Sequence, residues 1–309
     1  MNKKSILSFL KNFSLIILTK STSQGIPFLF KERELPAYTT TPGTTRNKII
    51  SHCNIKLNKD TRALKNIIFV NCVFFRQKFE DITIKDCLFE ECSFAFAEFK
   101  NVEIYNSEFV NSLFQKPKFE KTYLDPIKLK FKFSEWKREA SNINTTLFQR
   151  LESNLRDLHQ EDLAKGAHIK FRRYRRWQDV HEAKSANFFR ALVLRRNYII
   201  SLLFDLILVY GYGLFRALIL TVLFFIIAVF GIDLYWQEIN LYSNSSGLEI
   251  TQANSLQKLY FLVVTTTTLG YGDITPHSDF GMIVVVSLLA FSIVWTATLT
   301  ALIVKRLVK

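Results

Sequence analysis

The chain has 309 residues, 49% of them hydrophobic, and a mean hydropathy of +0.10. That length exceeds one ordinary core, and that hydropathy fits a protein partly embedded in a membrane. The formal net charge is +14, while five scattered histidines and the lack of a Gly-rich phosphate loop give enzyme chemistry no footing.

Residues 1–59 are read as an amino-terminal segment, partly disordered or capping. Lys3 and Lys4 precede an apolar run, but Lys11 interrupts it and no small-residue cleavage site follows, which argues against a secretory leader. With that end in the cytoplasm, the four cysteines need not pair.

The next segment, 60–126, holds much of the chain's store of 29 phenylalanines in one rule. From Leu64, the residues Phe69, Phe74, Phe79, Ile84, Phe89, Phe94, Phe99, Ile104, Phe109, Phe114, Phe119 and Leu124 recur every five positions. Two positions before each stand mostly modest side chains, among them Ile67, Cys72, Cys87, Cys92, Ala97, Val102, Ser107, Ser112 and Thr122. Neither helical nor strand periodicity gives this spacing, so a coiled repeat is required. The pattern resembles the pentapeptide-repeat family, which implies a right-handed quadrilateral β-helix with both positions facing inward. About three turns are expected, distorted at Gln77 and Pro117, with caps before Leu64 and after Leu124. Cys87 and Cys92 are then core residues, not zinc ligands.

Residues 133–198 are expected to be a basic helical connector. Leu147, Leu151, Leu155 and Leu158 share one helix face, Gly166 is a plausible break, and a second helix mixes Lys170, Arg172, Arg173, Arg175 and Arg176 with aromatics. Such a block is a solvated face or a site for anionic lipid. Tyr198–Tyr210 is apolar but short, with Asp205 in its middle, so 199–213 is predicted to lie along the membrane surface and turn at Gly211 and Gly213. The Gly-Tyr-Gly of that turn lacks a preceding threonine run and meets Arg216 at once.

Residues 214–309 contain two stretches able to cross a bilayer. From Ala217 to Ile232 no residue is charged, and with its flanks the run reaches roughly 20 residues, enough for a core of about 30 Å. Phe280–Val304 has no ionisable residue and crosses with tilt to spare. Arg190, Arg195, Arg196 and Arg216 precede the first stretch and Lys305, Arg306 and Lys309 follow the second, so both ends are expected in the cytoplasm.

Between the spans, within a pore loop at 254–276, Thr265–Asp273 reads Thr-Thr-Thr-Thr-Leu-Gly-Tyr-Gly-Asp. A dehydrated cation needs rings of oxygen, which backbone carbonyls of four copied strands can supply, and glycine allows the turned geometry. One chain gives a quarter of each ring, so a homotetramer is expected. A helix from Asn254 or Ser255 to about Thr267 would aim its negative end at the ions.

Leu214–Val304 resembles bacterial potassium channels with two spans and one pore loop. The resemblance implies potassium held by Thr268, Leu269, Gly270 and Tyr271, with Gly272 closing the outer mouth and Thr267 and Asp273 supporting. It places Tyr260 and Phe261 in an aromatic cuff bracing Tyr271, and Val264 where some members carry a glutamate that pairs with Asp273. Ser292 stands at the usual hinge glycine, and Ile293, Thr296, Thr300 and Val304 should face the cavity and inner gate.

The whole is expected to be multidomain: a right-handed quadrilateral β-helix, an α-helical connector and an all-α two-span tetrameric pore domain in the inner membrane. No cofactor is implied beyond permeant potassium; lipid is a partner, and the solenoid is open to an unknown ligand or protein. Nucleic-acid mimicry is disfavoured by the near balance of charge over Asp60–Lys121. A weakly selective cation channel and a membrane-tethered binding module stand as alternatives.

Overall fold

A computed structural model describes residues 35–131, 141–239, 241–243, 248–249 and 255–307. The leader question at Lys3, Lys4 and Lys11, the capping reading of 1–34 and the helix start at Asn254 lie outside these residues.

Coiling begins at Ala37, inside the segment expected to be a cap. Short parallel strands stack turn on turn: Ile68–Val70 on Leu88–Glu90 on Glu108–Val110 along one side, and Lys78–Glu80 on Glu98–Lys100 on Lys118–Glu120 along another. About five turns result, more than the repeat count predicted. The early turns escape a period-five reading because their phase differs. Stacked corner residues are 20 apart in the later coils but 19 apart between Asn47 and Asn66. The inward residues Thr40, Thr45, Ile50 and Ile55 therefore run one position out of step with Leu64 and its successors. Two of them are also threonines, and the hydroxyls of Thr40 and Thr61 satisfy one another at 2.7 Å inside the coil.

Every fifth backbone position turns a corner in the left-handed region, at Asn66, Asn71, Asp81, Asp86, Asn101, Asn106 and Asn111 among others. Asparagine and aspartate tolerate that conformation better than other residues with a β-carbon. Their side chains also bond from coil to coil, Asn101 donating to Asp81 and Asn106 to Asp86, both at 2.6 Å. Three of the four inner columns are stacked phenylalanines: Phe69–Phe89–Phe109, Phe74–Phe94–Phe114 and Phe79–Phe99–Phe119, with successive centroids 4.6–5.3 Å apart. The fourth is aliphatic, Leu64, Ile84, Ile104 and Leu124, all buried.

The smaller inward residues bond backbone as well as filling space, Ser112 donating to the Phe89 carbonyl at 3.1 Å and Thr122 to that of Phe99 at 3.0 Å. Gln77 and Pro117 do not distort the coil: the strands that follow them, Lys78–Glu80 and Lys118–Glu120, keep their register. Cys72, Cys87 and Cys92 are buried free thiols, and burial pushes Cys87 up to about 11. Among the described residues no cluster of His, Cys, Asp or Glu is arranged to hold a metal ion.

Helix α1, Ser141–Asp157, closes the last coil. Leu147, Phe148, Leu151 and Leu155 are fully buried against it. Asn154 accepts from the Thr122 amide at 3.0 Å and donates to the Thr122 carbonyl at 2.6 Å, and Arg150 donates to the carbonyl of Pro117. An open solenoid edge is thereby satisfied by side chains instead of a further strand.

The break between connector helices is not at Gly166. It falls at Leu158–Gln160, where His159 takes a φ of 55°, and helix α2 runs Glu161–Ser185 through Gly166, which lies over Pro126. Lys170 on α2 donates to the carbonyls of Pro126 and Leu129 at 2.5 and 2.9 Å, and its burial lowers the ammonium to about 8.

Helix α3 is Phe188–Leu208, 21 residues and longer than the short interfacial segment predicted from 199. Its first half carries Arg190, Arg195 and Arg196, which an apolarity count stops short of. Asp205 is buried at 8% exposure and explained by α2: Arg173 forks onto it with Nε–Oδ2 3.0 Å and Nη2–Oδ1 2.9 Å, and Arg176 adds a contact at 3.2 Å. Burial pushes the Asp205 carboxyl up, the two guanidinium groups outweigh it, and the net shift is downward. Part of the basic block is thus structural: Lys170, Arg173 and Arg176 bind it to its neighbours, while Arg172 and Arg175 stay exposed.

Candidate functional site

After a turn at Val209–Gly213 come two helices long and apolar enough to cross a membrane: α4, Leu214–Leu234, and α6, Asp279–Leu307. Between them lies α5, Ser255–Thr266. Trp295 on α6 donates its indole N–H to the Thr221 hydroxyl of α4 at 2.9 Å, one turn from the Phe224–Phe291 contact at 4.7 Å. A polar bond between two apolar helices fixes their rotation about each other. At the other end, Ser278 caps α6 by accepting from the Gly281 amide at 3.0 Å and donates to the carbonyls of Glu238 and Ile239. A β-carbon at Gly281 would meet the Ile239 carbonyl at 2.3 Å, so glycine here permits close approach of backbone to helix and not a hinge.

The chain leaves α5 through one tightened turn and one widened turn. Leu269 donates to the Val264 carbonyl at 3.1 Å and Thr268 to that of Thr265 at 3.1 Å, while the Thr267 hydroxyl reaches Val263 at 2.6 Å. Thr268, Gly270 and Gly272 have φ of 58°, 53° and 72°. Alternate left-handed residues allow carbonyls that would point to opposite sides of an ordinary strand to share one side. Leu269 and Tyr271 are 59% and 68% exposed on the single chain.

Asp273 then leads into Ile274–Pro276, a strand that pairs antiparallel with Leu241–Ser243, itself paired with Leu248–Glu249. This small sheet, unanticipated in the sequence because its strands are two or three residues long, ties the outer end of the Gly-Tyr-Gly segment to the linker after α4.

Tyr260 and Phe261 each have a defined partner within the single chain. Tyr260 donates to Asp273 Oδ2 at 2.7 Å, so Asp273 has a partner with Val264 at the position where the resemblance expects a glutamate. Phe261 is buried at 5% against Ile232, Ile239 and Leu241, where it joins α5 to the end of α4. The contribution of Val264 is its carbonyl, which receives Leu269.

At the carboxyl end of α5, a cavity of about 930 Å³ is lined by Thr266, Thr267 and Thr268 and, along α6, by Ser292, Ile293, Thr296, Thr300 and Val304. Ala297, Ala301 and Lys305 line it too and were missed, although helical spacing from Ile293 and Ala301 leads to them. Ser292 donates to the Leu289 carbonyl at 2.8 Å, a local bond of the kind that eases a helix bend.

A family described as ion channel matches residues 217–309, and one described as the SV2A/B/C luminal domain matches 39–119, which begins upstream of Leu64 as the coils do. No curated protein matches the chain. Residues 217–309 are thus an ion-channel domain of a membrane protein, joined by a helical connector to a β-solenoid of pentapeptide type.

Proposed function

We propose that four copies of this chain surround one axis and conduct dehydrated potassium selectively. The observation that carries the reading is the run Thr268–Gly272 at the end of α5, with left-handed backbone at Gly270 and Gly272 and with Leu269 and Tyr271 open on a single chain. Large side chains left open beside a backbone able to turn its carbonyls one way fit a surface completed by other copies. In that assembly Thr268, Leu269, Gly270 and Tyr271 supply the oxygens, Gly272 the outer mouth, and the threonine-lined cavity a wet vestibule below. The basic residues beside the spans favour both chain ends in the cytoplasm, with the solenoid and connector as a regulatory or assembly module.

Flux from liposomes in potassium against sodium, with native mass of the purified complex, tests this. A fourfold mass and potassium flux well above sodium are expected. Equal fluxes would instead describe a weakly selective cation channel, and absence of flux would leave a tethered binding module.

A further inference from the structure

Lys305 is the one cation among the residues lining the cavity, and it stands at the end where α6 leaves the apolar span. Its ammonium sits over an aromatic ring. It lies 3.8 Å from the centroid of the Tyr212 ring, and a β-carbon on Gly211 would come within 3.3 Å of it. A cation over an aromatic face is attracted by the ring's quadrupole, more strongly as water is excluded.

The ring that holds it is in turn in contact with the connector. Tyr212 meets the His168 imidazole edge-on at 5.9 Å, and His168 Nδ1 bonds the Glu152 carboxylate at 3.1 Å. Glu152 in turn pairs with Arg156 at 2.9 Å. The turn presenting the ring is strained: Val209, Tyr210 and Gly211 take φ of 47°, 54° and 84° in succession, the first of them β-branched. Buried Tyr210 holds this geometry by its hydroxyl, 3.0 Å from Ser201 and 3.4 Å from Arg176. Connector helices α1 and α2 therefore set the place of a ring that in turn sets the place of a charge at the mouth of the pore.

The geometry points to Tyr212 and Lys305 as an electrostatic gate: the ring parks the ammonium beside the ion path, and loss of the ring releases a positive charge into it. The inference rests on the channel reading above, in which four copies place four ammonium groups around the axis. Released into the mouth, they would deplete potassium there as strongly as a ring of carboxylates would concentrate it. Movement of α1 and α2 against the turn is then a direct input to conduction.

Single-channel recording of the full-length protein in lipid tests this. Tyr212→Leu should lower potassium conductance at least about three-fold at low ionic strength, with the deficit shrinking as salt rises. Tyr212→Phe, which keeps the ring, should restore the parent conductance. In Tyr212→Leu combined with Lys305→Gln the deficit should vanish. A conducting parent with Tyr212→Leu indistinguishable from it overturns the gate alone, as does a deficit that persists in the double variant or ignores salt. A parent that passes no current removes the conduction reading and the gate with it.

Discussion

The solenoid and the pore solve opposite packing problems. The solenoid completes its core within one chain: its three phenylalanine columns are stacked and its last edge is closed by Asn154 and Arg150. The pore leaves its chemistry on the outside, with Tyr271 at 68% exposure and spans that bury little of themselves in the single chain. A repeat that stacks on itself needs no partner, whereas the ion path proposed above needs copies and a bilayer. Damage to the first should register as lost stability, and damage to the second as lost function.

The sharpest break is at the proposed filter. Gly270→Ala puts a β-carbon on a residue with φ of 53°, and potassium flux should fall to background while far-ultraviolet dichroism is kept. Next is Phe94→Ala at the centre of its column, expected to cost the solenoid about 3–5 kcal/mol, read as an earlier denaturant midpoint of its strand signal. Asp205→Asn leaves Arg173 and buried Arg176 facing a neutral group, at about 2–3 kcal/mol. Because the Asp205 carboxyl is lowered in the folded state, its contribution is present above its unfolded pKa and lost as pH falls through the folded one. Parent and variant should therefore converge in acid melts. The smallest effect is Asn154→Ala, about 1–2 kcal/mol, seen as faster amide exchange over Lys118–Glu120 and not over Ile68–Val70.

The same contrast governs what the sequence made readable. Period-five spacing is local, so the coils from Leu64 onward could be read directly, and the apolar spans and the Gly-Tyr-Gly run were equally plain. The coils from Ala37 were hidden by a one-residue change of phase and by threonines in core positions. Asn47 and His52 turn left-handed corners as the residues from Asn66 to Lys121 do. The extent of α3 was obscured because arginines interrupt its apolar face, and Asp205 made sense only once Arg173 and Arg176 were found beside it. The Tyr212–Lys305 contact joins residues distant in the chain and has no periodic trace. Tyr260 and Phe261 were placed by likeness to a family, and their contacts to Asp273 and to the end of α4 became visible only in the folded chain.

The coil repeat of 20 residues has a bearing on how such a protein can change. Each coil begins and ends at equivalent corners, so a whole one can be inserted or removed while α1 still meets the same final surface. The reach of the solenoid from its connector is therefore quantised, in steps of about 4.8 Å, the spacing of neighbouring strands. Gene-level duplication of one coil would lengthen the arm without rewriting either of its ends.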